Sequence, residues 1–174
     1  MSKIFGNISY YSPVKEDVSR IVISYDFAEV GDGENATWHE IAFYKRLNPK
    51  PSLQQIKAAV IADIDSQTDA RILSGFVWEP ASGGDSIPVW LSLENQFNFK
   101  SAYDLAVQKQ GATLPVTFKM GEDSEGTPVY HTFETMEDAD DFYLKAVGYI
   151  NQCLNEGWVR KDSIDWSVYE QVLE

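Results

Sequence analysis

The sequence predicts an α+β fold, with an N-terminal antiparallel β meander followed by helix, hairpin, helix, hairpin and helix. Three observations predict it. The first fifty residues are rich in β-branched and aromatic side chains in rough alternation. Beyond residue 51, apolar residues recur at helical spacing in three separate runs. Between those runs lie two pairs of short apolar stretches, each pair divided by a glycine-containing turn. Single helices alternating with short hairpins give an antiparallel arrangement, not a parallel sheet.

In chain order, ISYY, RIVISYDFAEV and TWHEIAFYKRL read as three strands, and the glycine-acid turn from Gly31 to Asn35 joins the last two as a hairpin. The prolines of NPKPS stop the sheet, because proline donates nothing to a ladder. Ser52 and Gln55 have capping-box spacing. Ile56, Val60, Ile64 and Ile72, with Thr68 filling the gap, stripe a helix of about twenty residues, and Gly75 is its C-cap. FVWEP and IPVWLSL form a hairpin around ASGGDS. Ser92 caps a second helix that runs to about Gln110, with Phe99, Tyr103 and Ala106 on one face and Gly111 at its end. LPVTFKM and TPVYHTFE form a second hairpin around GEDSEG. Thr135 caps a third helix striped by Phe142, Ala146, Ile150 and Cys153, which Gly157 closes. The tail KDSIDWSVYEQVLE adds a short helix. The stretch from Asn48 to Pro51 divides an N-terminal β unit, residues 1–50, from an α+β module, residues 51–174.

Composition excludes several function classes. With 174 residues the chain can bury a sizeable core without a metal or disulfide staple. Its 27 acids against 14 bases give a net charge of −13. Such a surface repels phosphate backbones and anionic lipid, so neither nucleic acid nor membrane is expected as a partner. Cys153 is the single cysteine, which excludes an intrachain disulfide and any multi-cysteine zinc site. There is neither a signal-like N-terminal apolar run nor a stretch of the ~20 apolar residues that span a bilayer. A cytoplasmic origin is expected, with virion association as the route out.

No catalytic constellation is expected. His39 and His131 lie in strand patterns beside Trp38 and Tyr130, and no GxSxG elbow is present. The acidic turn GDGEN lacks the alternating ligands of a calcium loop, and the acids opening the third helix suit its macrodipole. SGGDS has no phosphate-loop lysine. Neither a metal nor a cofactor is expected. The residues that stand out are Trp78 and Trp90, flanking the glycine turn, and Ser92, Gln96 and Asn98 after it. The two indoles are either a stacking platform or hairpin core, and core is favoured because large aromatics dominate packing. Gln96 and Asn98 either hold a ligand or satisfy the hairpin's own backbone, and the second is favoured because buried amides must be paired.

The runs ILSGFVW, PVWLSLENQFNFKSAYDLA, LPVTFKM and VYHTFETMEDADDFY, with the helix ending in LNEGW, resemble a phage-tail-associated domain family of unknown function. The resemblance covers roughly residues 52–160. Its most specific part is Leu91-Ser92-x-x-x-Gln96-x-Asn98 after the G-F-x-W strand. It implies helix, hairpin, helix, hairpin, helix and a place among tail-fibre, tail-assembly and short prophage-encoded proteins, without transferable catalytic residues. The N-terminal strands lie outside it, and no fibrous repeat is present, so an adaptor, tip component or assembly factor is implied rather than a fibre.

The expectation is therefore a non-enzymatic structural or interaction protein of a phage or prophage tail, with a protein partner and homo-oligomerisation as a further expectation. The alternative is a small-ligand or glycan-binding module built on the hairpin aromatics. An acid–base enzyme using clustered carboxylates is the third class, and it requires a cleft that perturbs a carboxylate.

Overall fold

The structure is a computed structural model that describes residues 3–31, 33–47, 50–81 and 83–173. The turn and linker readings that involve Asp32, Asn48, Pro49 and Ser82 lie outside the described residues.

The N-terminal region is a four-stranded antiparallel sheet of β1 (Ile4–Asn7), β2 (Val14–Glu16), β3 (Arg20–Val30) and β4 (Asn35–Tyr44), in the order β1-β4-β3-β2. It has one strand more than the three-stranded meander the sequence suggests. ISYY is not a strand, because Ile8–Tyr10 form a 3-10 turn. The Asn7 side chain accepts from the Ser9 amide at 2.9 Å, a local bond that competes with strand pairing. The β3–β4 hairpin pairs Ile23 with Ile41 and Tyr25 with His39. Register then shifts between Tyr25 and Ala28, and Asp26 takes φ +57° in that bulge.

Two helices supply the rest of this core. The first is α1 (Leu53–Ser74), opened by a complete capping box: Gln55 Oε1 accepts from the Ser52 amide at 2.8 Å, and Ser52 Oγ accepts from the Gln55 amide at 3.3 Å. Its Ile56, Val60 and Ile64 pack with Ile21, Ile23, Tyr25 and Ile41. The other is the short tail helix, residues 167–173, whose Tyr169 joins that core and donates its hydroxyl to the Ser24 carbonyl at 2.8 Å.

The second core is built from two hairpins and two helices. The hairpins are β5 (Phe76–Trp78) with β6 (Ile87–Val89), and β7 (Val116–Glu122) with β8 (Pro128–Phe133). They form separate two-stranded sheets. A backbone bond from the Trp90 amide to the Met120 carbonyl, 2.8 Å, joins them. At Gly121 a Cβ would lie 2.7 Å from the Pro88 carbonyl oxygen, so only glycine allows this approach. The helices are α2 (Leu93–Gln108) and α3 (Met136–Asp162), and the tail helix is α4 (Ser167–Leu173). The core unites Trp78, Val89, Leu91, Phe99, Met120 and Phe142 with other apolar side chains. Cys153 is buried in it as a free thiol.

The expected caps of α2 and α3 are present. Ser92 Oγ accepts from the Asn95 amide at 3.2 Å, and Thr135 Oγ1 from the Asp138 amide at 3.2 Å. Gly157 does not close α3, which continues through it to Asp162. A helical glycine costs about 1 kcal/mol relative to alanine. The residues that follow offset this with ion pairs, Arg160 to Asp26 at 3.0 Å and Lys161 to Asp65.

The chain divides into two compact units, residues 1–67 with 156–174, and residues 68–155. The division falls within α1, between Gln67 and Thr68. The reason is α1, which gives Ile56, Val60 and Ile64 to the first core and Ile72 to the second.

Candidate functional site

The five singled-out residues have different fates. Trp78 is fully buried, stacked on Phe133 and edge-on to Phe142 and His131. Its Nε1 donates to Asp141 Oδ2 at 2.9 Å, which resolves the polar end of a buried indole. Asp141 also accepts from Lys145 Nζ at 3.0 Å and from the Ala81 amide at 3.3 Å. Burial pushes the Asp141 carboxyl upward, but the Trp78 and Lys145 bonds outweigh it and hold the group below its usual range.

Trp90 points the other way and is 40% exposed, with Lys119 Nζ over its ring at 5.2 Å. Ser92 caps α2. Gln96 Nε2 donates to the Leu91 carbonyl at 2.7 Å, as the amide accounting predicts. Asn98 does not share this role, because it is exposed. Its place is taken by Asn95, whose Nδ2 donates to the Trp90 carbonyl at 3.0 Å. Asn95 sits three residues after the Ser92 cap, in the first helical turn, where a side chain can reach back to the entering strand. That offset is the signal that would have found it.

Beside Gln96, α2 and α3 enclose an apolar groove of about 250 Å³. Gln96, Phe97 and Lys100 line one wall, and Tyr143, Val147 and Ile150 the other. On α3 these positions are i, i+4 and i+7, one continuous stripe, and on α2 Phe97 and Lys100 are i and i+3. The α2 stripe extends through Leu93. Phe97 is 71% exposed and Leu93 77% exposed, turned away from the face of α2 that buries Phe99. Tyr143 of the lining stacks on Tyr103, ring centroids 4.2 Å apart. The Tyr103 hydroxyl donates to Asp140, a bond that raises its pKa. Lys100 Nζ, the cation of the lining, is bound to Asp104 Oδ2 at 2.6 Å.

The first unit holds a polar network. Arg160 reaches Asp26 Oδ2 at 3.0 Å and donates to Gln67 Oε1 at 2.9 Å. Gln67 Nε2 donates to Asp63 Oδ2 at 2.8 Å and lies 3.4 Å from His39 Nδ1. The Tyr25 hydroxyl bonds Asp63. Burial lowers the His39 pKa, with Asp26 opposing and Arg160 reinforcing the shift. Asp63 is held low by the Tyr25 and Gln67 bonds, against the upward push of burial. These carboxylates are already bound by donors. Among the described residues, no three histidine, cysteine or carboxylate groups come together to hold a metal ion. Among them no helix is long and apolar enough to cross a membrane.

The groove, its capping serine and the ties of Gln96 and Asn95 all fall within a recognised sequence family. Residues 55–173 match the family described as Domain of unknown function (DUF4376). The chain belongs to this family. The DUF4376 match takes in nearly all of α1, both hairpins, α2, α3 and α4, and leaves out the N-terminal sheet. No curated protein and no solved structure matches the chain.

Proposed function

We propose that this DUF4376 chain is a non-enzymatic interaction protein of a phage or prophage tail, acting as adaptor, tip component or assembly factor. The observation that carries the interaction role is the α2–α3 groove with Phe97 and Leu93 exposed beside it. Isolated exposed apolar residues are ordinary, but an apolar stripe running along a groove marks a contact surface. The tail setting is supported by the resemblance of residues 52–160 alone. The polar clusters support the non-enzymatic side, since their groups are engaged with each other. The alternative glycan platform pairs Trp78 with Trp90, and the burial of Trp78 removes one of its two rings.

The test is quantitative mass spectrometry of particles purified after prophage induction, compared with the crude lysate. Recovery in particles at a fixed ratio to a tail protein supports a virion component. Recovery in lysate complexes containing tail proteins, but not in particles, supports an assembly factor. A chain found free in both fractions contradicts the proposal.

A further inference from the structure

The groove also restricts what can fill it. We propose that it receives an amphipathic helix of a partner protein, with an apolar stripe and with Lys or Arg where that helix overlies Tyr103 and Tyr143. This rests on the interaction role proposed above and names the partner's chemistry.

Three features select this occupant. First, the walls are the sides of two helices, whose backbone groups are satisfied internally. An extended peptide would find no main-chain partners there and would strand its own N–H and C=O groups. A helix brings its backbone already satisfied and can lay an apolar stripe along the groove. Second, the groove of about 250 Å³ is lined mostly by apolar side chains, Phe97, Tyr143, Val147 and Ile150 among them. It suits apolar side chains projecting from a helix, with Phe97 and Leu93 covering that helix's flanks.

Third, the charge is one-sided. At the tyrosine end Lys100 is paired with Asp104, which leaves Asp140, the acceptor of the Tyr103 hydroxyl, as the net negative charge. The chain as a whole carries −13. A cationic helix end is favoured there and an anionic one repelled. A second copy of this chain would bring another strongly acidic surface to the same place, so a heterologous basic helix is the better complement.

The experiment uses the full chain and two synthetic amphipathic helices of roughly five turns. Both carry the same leucine stripe, one with lysine and one with glutamate on the polar face. Binding is followed by fluorescence anisotropy for the native chain, for Phe97→Asp and Leu93→Asp, and for Val18→Asp as a control. All three positions are exposed, Val18 being 98% exposed in the other unit, so folding is retained and is checked by thermal melting. The lysine helix is expected to bind the native chain and Val18→Asp alike. Each groove variant should weaken it by about tenfold or more, about 1.4 kcal/mol. The glutamate helix should not bind.

Equal binding to native chain and groove variants would show adherence to acidic surface and overturn the proposal. So would failure of the lysine helix to bind at millimolar concentration, or comparable binding of the glutamate helix. A native dimer in sedimentation that Phe97→Asp dissociates would assign the groove to a second copy and overturn it too. If the chain is still recovered with tail proteins in any of these cases, only the helix assignment falls. If the lysine helix binds as expected but the chain associates with no tail protein, the tail role falls and the groove's specificity stands.

Discussion

Trp78 Nε1 donates to Asp141 Oδ2 at 2.9 Å, so the most deeply buried indole of the second unit is also the anchor of its first hairpin. The bond joins β5 to α3 across 63 positions of chain. Asp141→Ala leaves the indole N–H unpaired in a buried setting and should cost about 1–3 kcal/mol. Chemical denaturation with tryptophan emission as the probe measures it. Asp141→Asn keeps an acceptor oxygen and should recover part of the loss.

Gln96 and Asn98 look alike in sequence and differ in the fold. Gln96→Ala removes the donor to the Leu91 carbonyl and should cost about 1 kcal/mol or more. Asn98→Ala alters an exposed side chain and should stay within about 0.5 kcal/mol. Paired melting curves decide between them. Equal losses would place Asn98 in the packed hairpin after all.

Gly75 turns the chain from α1 into β5 at φ +77°, and a Cβ there would lie 1.7 Å from the Val89 carbonyl oxygen. Gly75→Ala therefore meets both a left-handed backbone and a backbone clash, and should cost at least about 3 kcal/mol. Gly126 has φ +80° with open space around it, so Gly126→Ala should cost only about 1–2 kcal/mol. The difference between the two isolates the close approach from the dihedral.

His39 makes stability depend on pH. Burial lowers its folded pKa, Asp26 and Asp63 oppose that shift, and Arg160 and Lys3 reinforce it. The unfolded chain takes up the proton near pH 6.5 while the folded chain resists it. Stability should therefore be unaffected by this group above about pH 6.5, and should fall as pH drops from there through the lower folded pKa, by at most about 1.4 kcal/mol per pH unit. His39→Gln should flatten that window. Asp63 and Asp141, held low by their donors, contribute stability that is lost only at lower pH, as pH falls from the unfolded carboxylate value near 4. The two windows separate in a pH series of denaturation midpoints.

Much of this fold can be read from local chemistry. The α1 stripe and the Ser52–Gln55 box are both local patterns, and both halves of the box form. Trp78 and Trp90 alternate across a strand pair, so one faces in and the other out, as period two requires. The failures have physical causes. ISYY has strand composition, but the Asn7 side chain holds its first residues in a turn. Gly157 carries a stop signal that the Arg160 and Lys161 ion pairs override. The Asp26–His39–Gln67–Arg160 network joins residues up to 134 positions apart, so no spacing announces it. The groove itself is hidden for the same reason, because its walls, Phe97 with Lys100 and Val147 with Ile150, lie on two helices far apart in the chain.

The most direct measurement is particle association of the Phe97→Asp variant beside the native chain and Val18→Asp, each expressed at native level during prophage induction and quantified against a tail protein. Val18→Asp should match the native chain, and Phe97→Asp should fall by tenfold or more while melting at an unchanged temperature. Native-level association of a folded Phe97→Asp would contradict the assignment of the α2–α3 groove as the contact surface.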